Sequence, residues 1–176
     1  MKSDSSINHN YMFRLDELKL LKDTEISEVS FDEGVCPNLR EFILEECSNL
    51  AEVGTLPSTL IEVELMSCSN LRKIGGLCGL ANLHTLRVEK CEELQELPTI
   101  GIKSLDYLFV SHCVKLKSIR DLGCDELEEL EGVEYCKSLE NLTIHMCLKL
   151  QWGKGVVKRL RKKNIMLVGS EIEVVN

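Results

Sequence analysis

The 176-residue sequence is poor in aromatic side chains: four Phe, three Tyr and one Trp, 5% of the chain. With 44% hydrophobic residues it can still bury a core, but that core has to be aliphatic, chiefly leucine. No basic excess exists: 29 acidic against 21 basic residues give a net charge of −8, which argues against nucleic acid, whose phosphates need a basic face. No stretch approaches the roughly 20 apolar residues of a membrane span, and "MKSDSSINHNYMF" lacks the apolar run of a signal peptide. Cys-x-x-Cys pairs are absent although the chain holds nine cysteines, an odd number. Free thiols in a reducing compartment are therefore expected, with a secreted disulfide scaffold as the alternative. The sequon at Asn141-Leu142-Thr143 puts its middle residue in an expected buried strand, so chance explains it better than glycosylation.

Catalytic frames are also missing. The sequence contains no G-x-x-x-x-G-K-[ST] phosphate loop, no G-x-S-x-G elbow and no H-E-x-x-H. His112-Cys113 and His145-x-Cys147 raise the question of a metal, but a site needs several converging ligands, and the cysteines belong to an inward column described below. The glutamate pairs at 45–46, 92–93 and 128–129 read as solvated surface. No enzyme activity, cofactor or metal is expected.

What the sequence does contain is a repeat. In "LREFILEECSNL", apolar residues follow Leu39 at offsets that fit neither a helix nor a strand for long. The frame recurs as "LIEVELMSCSNL" from Leu60, "LHTLRVEKCEEL" from Leu83, "LDYLFVSHCVKL" from Leu105 and "LENLTIHMCLKL" from Leu139, with a poorer copy, "LDELKLLKDTEI", from Leu15. The leading leucines at 15, 39, 60, 83 and 105 step by 24, 21, 23 and 22. A copy at Leu127 breaks off after Leu130, and the next leading leucine follows 12 residues after Leu127.

A period near 22 with L-x-x-L-x-L is the leucine-rich-repeat frame. It predicts an α/β solenoid, right-handed and curved, with short parallel strands on the concave face, a convex face made mostly of loop, and a C-terminal helix–strand cap. In each turn x-L-x-L forms a strand with its leucines inward. Cys47, Cys68, Cys91, Cys113 and Cys147 recur three residues after the last inward strand residue, where a small buried thiol fills a bend and offers a weak donor to carbonyls. Cys36, Cys78, Cys124 and Cys136 fall in connecting loops without a common register.

The expected organisation is a flexible tail at 1–12, a repeat domain of about seven turns at 13–152 with one turn truncated at 127–138, and a cap at 153–176. Within the cap a short amphipathic helix carries Val156, Val157 and Leu160, and "IMLV" at 165–168 forms an edge strand. Residues Lys149 to Lys163 include seven basic and no acidic side chains, leaving 14 basic against 29 acidic elsewhere. A solvated cap face accounts for this run; a contact with acidic partners or membrane, or nuclear import through "KRLRKK", are the other readings.

The x positions of the strands define a candidate protein-binding face. They are Glu41, Ile43 and Glu45; Glu62, Glu64 and Met66; Thr85, Arg87 and Glu89; Tyr107, Phe109 and Ser111; Glu129 and Glu131; and Asn141, Thr143 and His145. The N-terminal half is acidic. Tyr107 and Phe109 place two aromatics on a solvent face in a chain that has few, which suits binding anchors; the alternative is that they cover each other and nearby aliphatic groups. The partner-binding set is taken as Glu41, Glu45, Glu62, Glu64, Met66, Arg87, Tyr107, Phe109, Glu131, Asn141 and His145.

The Cys-x-x-Leu endings, the "GGL" and "LP" loops and the "KSL" before a strand, over residues 36 to 152, resemble the C-terminal repeats of plant intracellular nucleotide-binding leucine-rich-repeat immune receptors, in particular the TIR-bearing class related to flax rust resistance proteins. The resemblance implies recognition of pathogen effectors, or a contact that holds a nucleotide-binding domain of a longer chain inactive, in the cytoplasm or the nucleus. A substrate-recruiting adaptor of the F-box type and a partnerless structural remnant remain open alternatives.

Overall fold

A computed structural model describes residues 14–32, 34–77, 80–98, 102, 104–120, 141–145 and 166–168. Its main element is a seven-stranded, all-parallel sheet in which every strand but the last comes from a copy of the repeat. These are β1 (Glu17–Leu21), β3 (Glu41–Glu45), β5 (Glu62–Met66), β7 (Thr85–Glu89), β9 (Tyr107–Ser111), β11 (Asn141–His145) and β12 (Met166–Val168), side by side in that order. Between them run β2 (Glu28–Val29), β4 (Glu52–Val53) and β6 (Lys73–Ile74) in one short parallel sheet, and β8 (Glu96–Pro98) and β10 (Ser118–Arg120) in another. This is the parallel-strand leucine-rich-repeat solenoid.

Each turn is built by the same local steps. Alternation in the strand sends two side chains inward: Phe42 and Leu44, Val63 and Leu65, Leu86 and Val88, Leu108 and Val110, all fully buried. The residue after the strand then takes the left-handed conformation: Lys22, Glu46, Ser67, Lys90 and His112 have φ between 53° and 55°. None is glycine, so each carries a cost of about 1–2 kcal/mol. The offsetting gain is repetitive: the amide of each donates to the carbonyl of the last strand residue in the next turn, Glu45, Met66, Glu89, Ser111 and His145, at 2.8–2.9 Å.

The cysteine comes next and points into the core. Cys47, Cys68, Cys91 and Cys113 are buried, and none forms a disulfide. Their thiols lie near carbonyls two residues back, and three of them also near the preceding turn: Cys47 at Leu20, Cys91 at Leu65 and Cys113 at Val88, with sulfur–oxygen distances of 3.5–3.8 Å. In the first turn Asp23 stands in that place, and its carboxylate accepts from the amides of Glu25 and Ile26 instead. A turn closes each Cys-x-x-Leu, with Leu50, Leu71, Leu94 and Leu116 donating to the cysteine carbonyl at 3.0–3.2 Å.

A second turn precedes the next strand. Leu39 donates to Cys36, Leu60 to Pro57 and Leu83 to Leu80. This corrects one expectation: Cys36 does have a register, three residues before a leading leucine, shared with Pro57, Leu80 and Ile102, and it is buried like them except for half-buried Pro57. The spacing is also legible in the sequence, where Cys124 and Cys136 likewise stand three residues before Leu127 and Leu139, but the mixed identity of the other copies hides the column. Between it and the leading leucine, Thr59 and Ser104 hydroxyls donate to the preceding turn at Leu39 and Ala81.

The core runs unbroken through the stack, from Phe31 against Phe42, ring centroids 5.4 Å apart, to Leu142. At about 25 cal/mol per Å² of apolar area, each fully buried leucine contributes some 1.5–3 kcal/mol, and no single turn could bury its own. At the first turn Leu15, Leu18 and Leu20 are only half-buried and Leu21 is 54% exposed. β9 pairs directly with β11, Tyr107 opposite Asn141. The truncated turn at 127–138, the tail at 1–12 and the capping helix lie outside the described residues; the expected final strand is found at Met166–Val168 beside β11. Among the described residues no helix is long and apolar enough to cross a membrane.

Candidate functional site

The outward residues of the long sheet form three columns. The first holds Glu17, Glu41, Glu62, Thr85, Tyr107 and Asn141; the second Lys19, Ile43, Glu64, Arg87, Phe109 and Thr143; the third Leu21, Glu45, Met66, Glu89, Ser111 and His145. Neighbours in a column sit about 4.8 Å apart because that is the strand spacing. Strand alternation therefore brings together Glu41, Glu45, Glu62, Glu64, Met66, Arg87, Tyr107 and Phe109 as the sequence implies, with His145 at the far end. Asn141 joins the first column by its backbone, its side chain lying outside the described residues, as does Glu131.

Sequence reasoning left Glu17, Lys19 and Leu21 off this face. The signal was present: in "LDELKLLKD" they occupy the same x positions as in the better copies. Glu89 was placed on the face but not among the binding residues, and it proves central to the electrostatics.

Arg87 organises the C-terminal half. Its Nη2 donates to Glu89 Oε2 at 2.7 Å, and its guanidinium carbon lies 4.9 Å from the centroid of the Phe109 ring. Cation–π contacts of this kind contribute about 0.5–1 kcal/mol at exposed sites. The Arg87 hydrogen bond holds the Glu89 carboxyl below its ordinary pKa, with burial opposing. The Nε of Arg87 is buried and finds no acceptor among the described residues. Phe109 is thus half-buried beneath a guanidinium, while Tyr107 is 37% exposed. The two aromatics have different roles: Phe109 supports the face and Tyr107 is offered to solvent.

The N-terminal half is acidic. Glu17 is paired with Lys19 on its own strand. Glu41 lies directly opposite Glu62, a like-charge arrangement that costs stability. Burial pushes the Glu62 carboxyl up, Glu64 and Glu41 push it further, and Lys19 pulls it back in part.

Beyond Ser111 the sheet ends in imidazoles. His112 and His145 meet edge to face with centroids 5.3 Å apart, and the Ser111 hydroxyl lies 2.6 Å from His112 Nδ1. Cys113, by contrast, turns into the core toward Val88 and Ser111 carbonyls. His112 and Cys113 therefore point apart and do not form the start of a metal set. Among the described residues no three His, Cys, Asp or Glu side chains converge on a common point.

Along one rim of the sheet an open groove of about 380 Å³ is lined by Asn38, Arg40, Thr59, Ile61, Asn82 and His84. His84 Nδ1 lies 2.6 Å from Asp106 Oδ2. Several of the polar groups here are already committed to the turns that build the wall, as Thr59 is to Leu39 and Asn82 to Ser58.

No protein-family model matches the chain. It is similar to the probable disease resistance protein At5g66890 of Arabidopsis thaliana, 27% identical over 126 residues that cover 64% of this chain and 30% of that protein. It is also similar to the disease resistance protein RPP5 of Arabidopsis thaliana, 31% identical over 121 residues covering 61% of this chain and 8% of that protein. The chain thus spans less than a third of either relative. Plant disease resistance proteins are its homologues, at low identity.

Proposed function

We propose that this chain is a protein-recognition module of plant disease resistance, binding through the solvent face of its long sheet and catalysing no reaction. The observation that carries the reading is Tyr107. It is a large aromatic side chain left 37% exposed at the start of a rigid strand, beside an Arg87–Phe109 pair that fixes its surroundings. Exposed aromatics next to arginine on a preorganised surface are what binding hot spots are made of. Similarity to two disease resistance proteins supports the biological setting.

In that setting the partner is either a pathogen effector or a nucleotide-binding domain of a longer parent chain held inactive by contact with this face, as in receptors of the TIR-bearing class. Both act in the cytoplasm, and both use the same surface.

The test is binding of purified candidate partners, effectors and nucleotide-binding domains, to the wild-type chain and to Tyr107→Ala. The variant should lose at least about tenfold in affinity with an unchanged unfolding midpoint, because Tyr107 is not part of the core. Partners that bind both forms equally well would refute the reading of this face.

A further inference from the structure

Resting on the reading of this face as a protein-binding surface, we infer that its partner presents a basic extended segment. Lys or Arg side chains seat over β3 and β5, and an apolar or aromatic side chain about three residues away seats at Tyr107 and Phe109.

The charge balance of the face points to this class. Of its six carboxylates among the described residues, Glu17 has Lys19 and Glu89 has Arg87. Glu41, Glu45, Glu62 and Glu64 have no cation within ion-pair distance among the described residues. All four stand on two adjacent strands. Lys19 and Arg87 act on them only from a distance, and an incoming cation would relieve the repulsion between Glu41 and Glu62 as it binds.

The surface is also more than acidic. Ile43 lies beside Glu64, and Met66 beside Glu45, both half-buried on the same face. Carboxylates thus stand next to apolar groups along β3 and across the second and third columns. Lys and Arg match such a surface because their aliphatic stems lie on apolar groups while the charged head reaches a carboxylate. The chain's own Arg87 is an internal example: its Nη2 donates to Glu89 while its guanidinium carbon lies over the Phe109 ring. Arginine fits better than lysine where a planar fork can meet a carboxylate and a ring together.

Strand spacing then fixes the separation. From β5 to β9 is two steps of about 4.8 Å, near 10 Å, which an extended chain crosses in about three residues at some 3.3 Å each. Arg87, already neutralised by Glu89, lies between the two seats and repels a cation there less than a free guanidinium would.

The probe is a labelled synthetic peptide of about ten residues in a Gly/Ser background, with two adjacent arginines and a tyrosine three residues on, titrated into the full chain. Control peptides exchange arginine for glutamate, or widen the spacing to six. The Arg–Tyr peptide should bind, the glutamate peptide should not, and the widened one should bind more weakly. High salt should weaken binding about tenfold or more. Glu62→Gln with Glu64→Gln should do the same without loss of the fold, whereas Glu92→Gln, on a loop away from the sheet, should change nothing. Equal binding of basic and acidic peptides, no binding of the basic one, or an equal effect of Glu92→Gln would overturn the inference. If the basic peptide fails while Tyr107→Ala still weakens a purified partner, the recognition face stands and only its charge preference falls.

Discussion

The amide of Ser67 donates to the carbonyl of Glu89 in the neighbouring turn at 2.8 Å, from a left-handed backbone with φ 55°. The conformation turns the chain out of β5 and aims that amide along the sheet, so geometry rather than residue type holds the position. Ser67→Gly removes the Cβ penalty and adds chain entropy to the unfolded state, two effects of similar size; stability should change by less than about 1 kcal/mol. Ser67→Val forces a β-branched residue into the left-handed region and should cost about 1–2 kcal/mol or more. Urea unfolding of the three forms checks the order Gly at or above Ser, and Ser well above Val.

The thiol column should be chemically silent. Burial pushes the Cys68 thiol up to about 11 and the Cys91 thiol up further, and both side chains are fully buried. An ordinary thiol with pKa near 8.5 is partly ionised at pH 8, whereas a thiol at 11 is thiolate about one part in a thousand. Iodoacetamide at pH 8 should leave Cys68 and Cys91 unmodified in the native chain and label both in urea, read by peptide mass spectrometry. Rapid native labelling of either would show that the turns open or that the column is not inward.

Much of this fold is legible in the sequence, because stacking imposes one period on every apolar column. Leucine at x-L-x-L and cysteine three residues later each fill a bend of fixed size, so identity recurs with geometry. Two features were hidden. The left-handed residues are Lys, Glu, Ser, Lys and His, types with no shared preference for φ > 0, selected by position in the turn alone. Cys36 shares its column with a proline, a leucine and an isoleucine in the described turns, so its register shows only when the spacing to the leading leucine is counted, as it also is for Cys124 before Leu127 and Cys136 before Leu139. For the binding face, the strand register followed from alternation, but which aromatic is available did not. Phe109 and Tyr107 look equivalent in "LDYLFVSHC" until Arg87, from the preceding turn, is seen to cover one of them.

The acidic face should move the pH of greatest stability. Glu62 has a folded pKa raised above its unfolded value by burial and by Glu64 and Glu41. Between those two values the native state holds the extra proton, so stability falls as pH rises through that window. Glu89 is lowered by Arg87, so its contribution is present above the unfolded carboxylate pKa near 4.3 and is lost as pH falls through the lower folded value. Unfolding midpoints should therefore decline as pH rises from the unfolded carboxylate value through the raised Glu62 value, and Glu62→Gln should flatten that decline and raise the midpoint at pH 7. Glu89→Gln should instead lower the midpoint at pH 7 and remove part of the loss seen in acid.

Arg87 and Phe109 should be energetically coupled. The guanidinium lies over the ring at 4.9 Å while its Nη2 holds Glu89, and its side chain is 38% exposed, so solvent screens part of the ion pair. Arg87→Met keeps an apolar stem over Phe109 and removes the orphaned Nε, so it should cost less than Arg87→Ala, which uncovers the ring. Phe109→Leu keeps apolar volume but has no π face. In a double-mutant cycle of Arg87→Met with Phe109→Leu, the coupling should be about 0.5–1 kcal/mol, the range of partly exposed cation–π pairs. Urea unfolding of the four proteins measures it. A coupling indistinguishable from zero would mean that Arg87 is held by Glu89 alone, and that the ring beneath it is a spectator which a partner could reach once the arginine swings away.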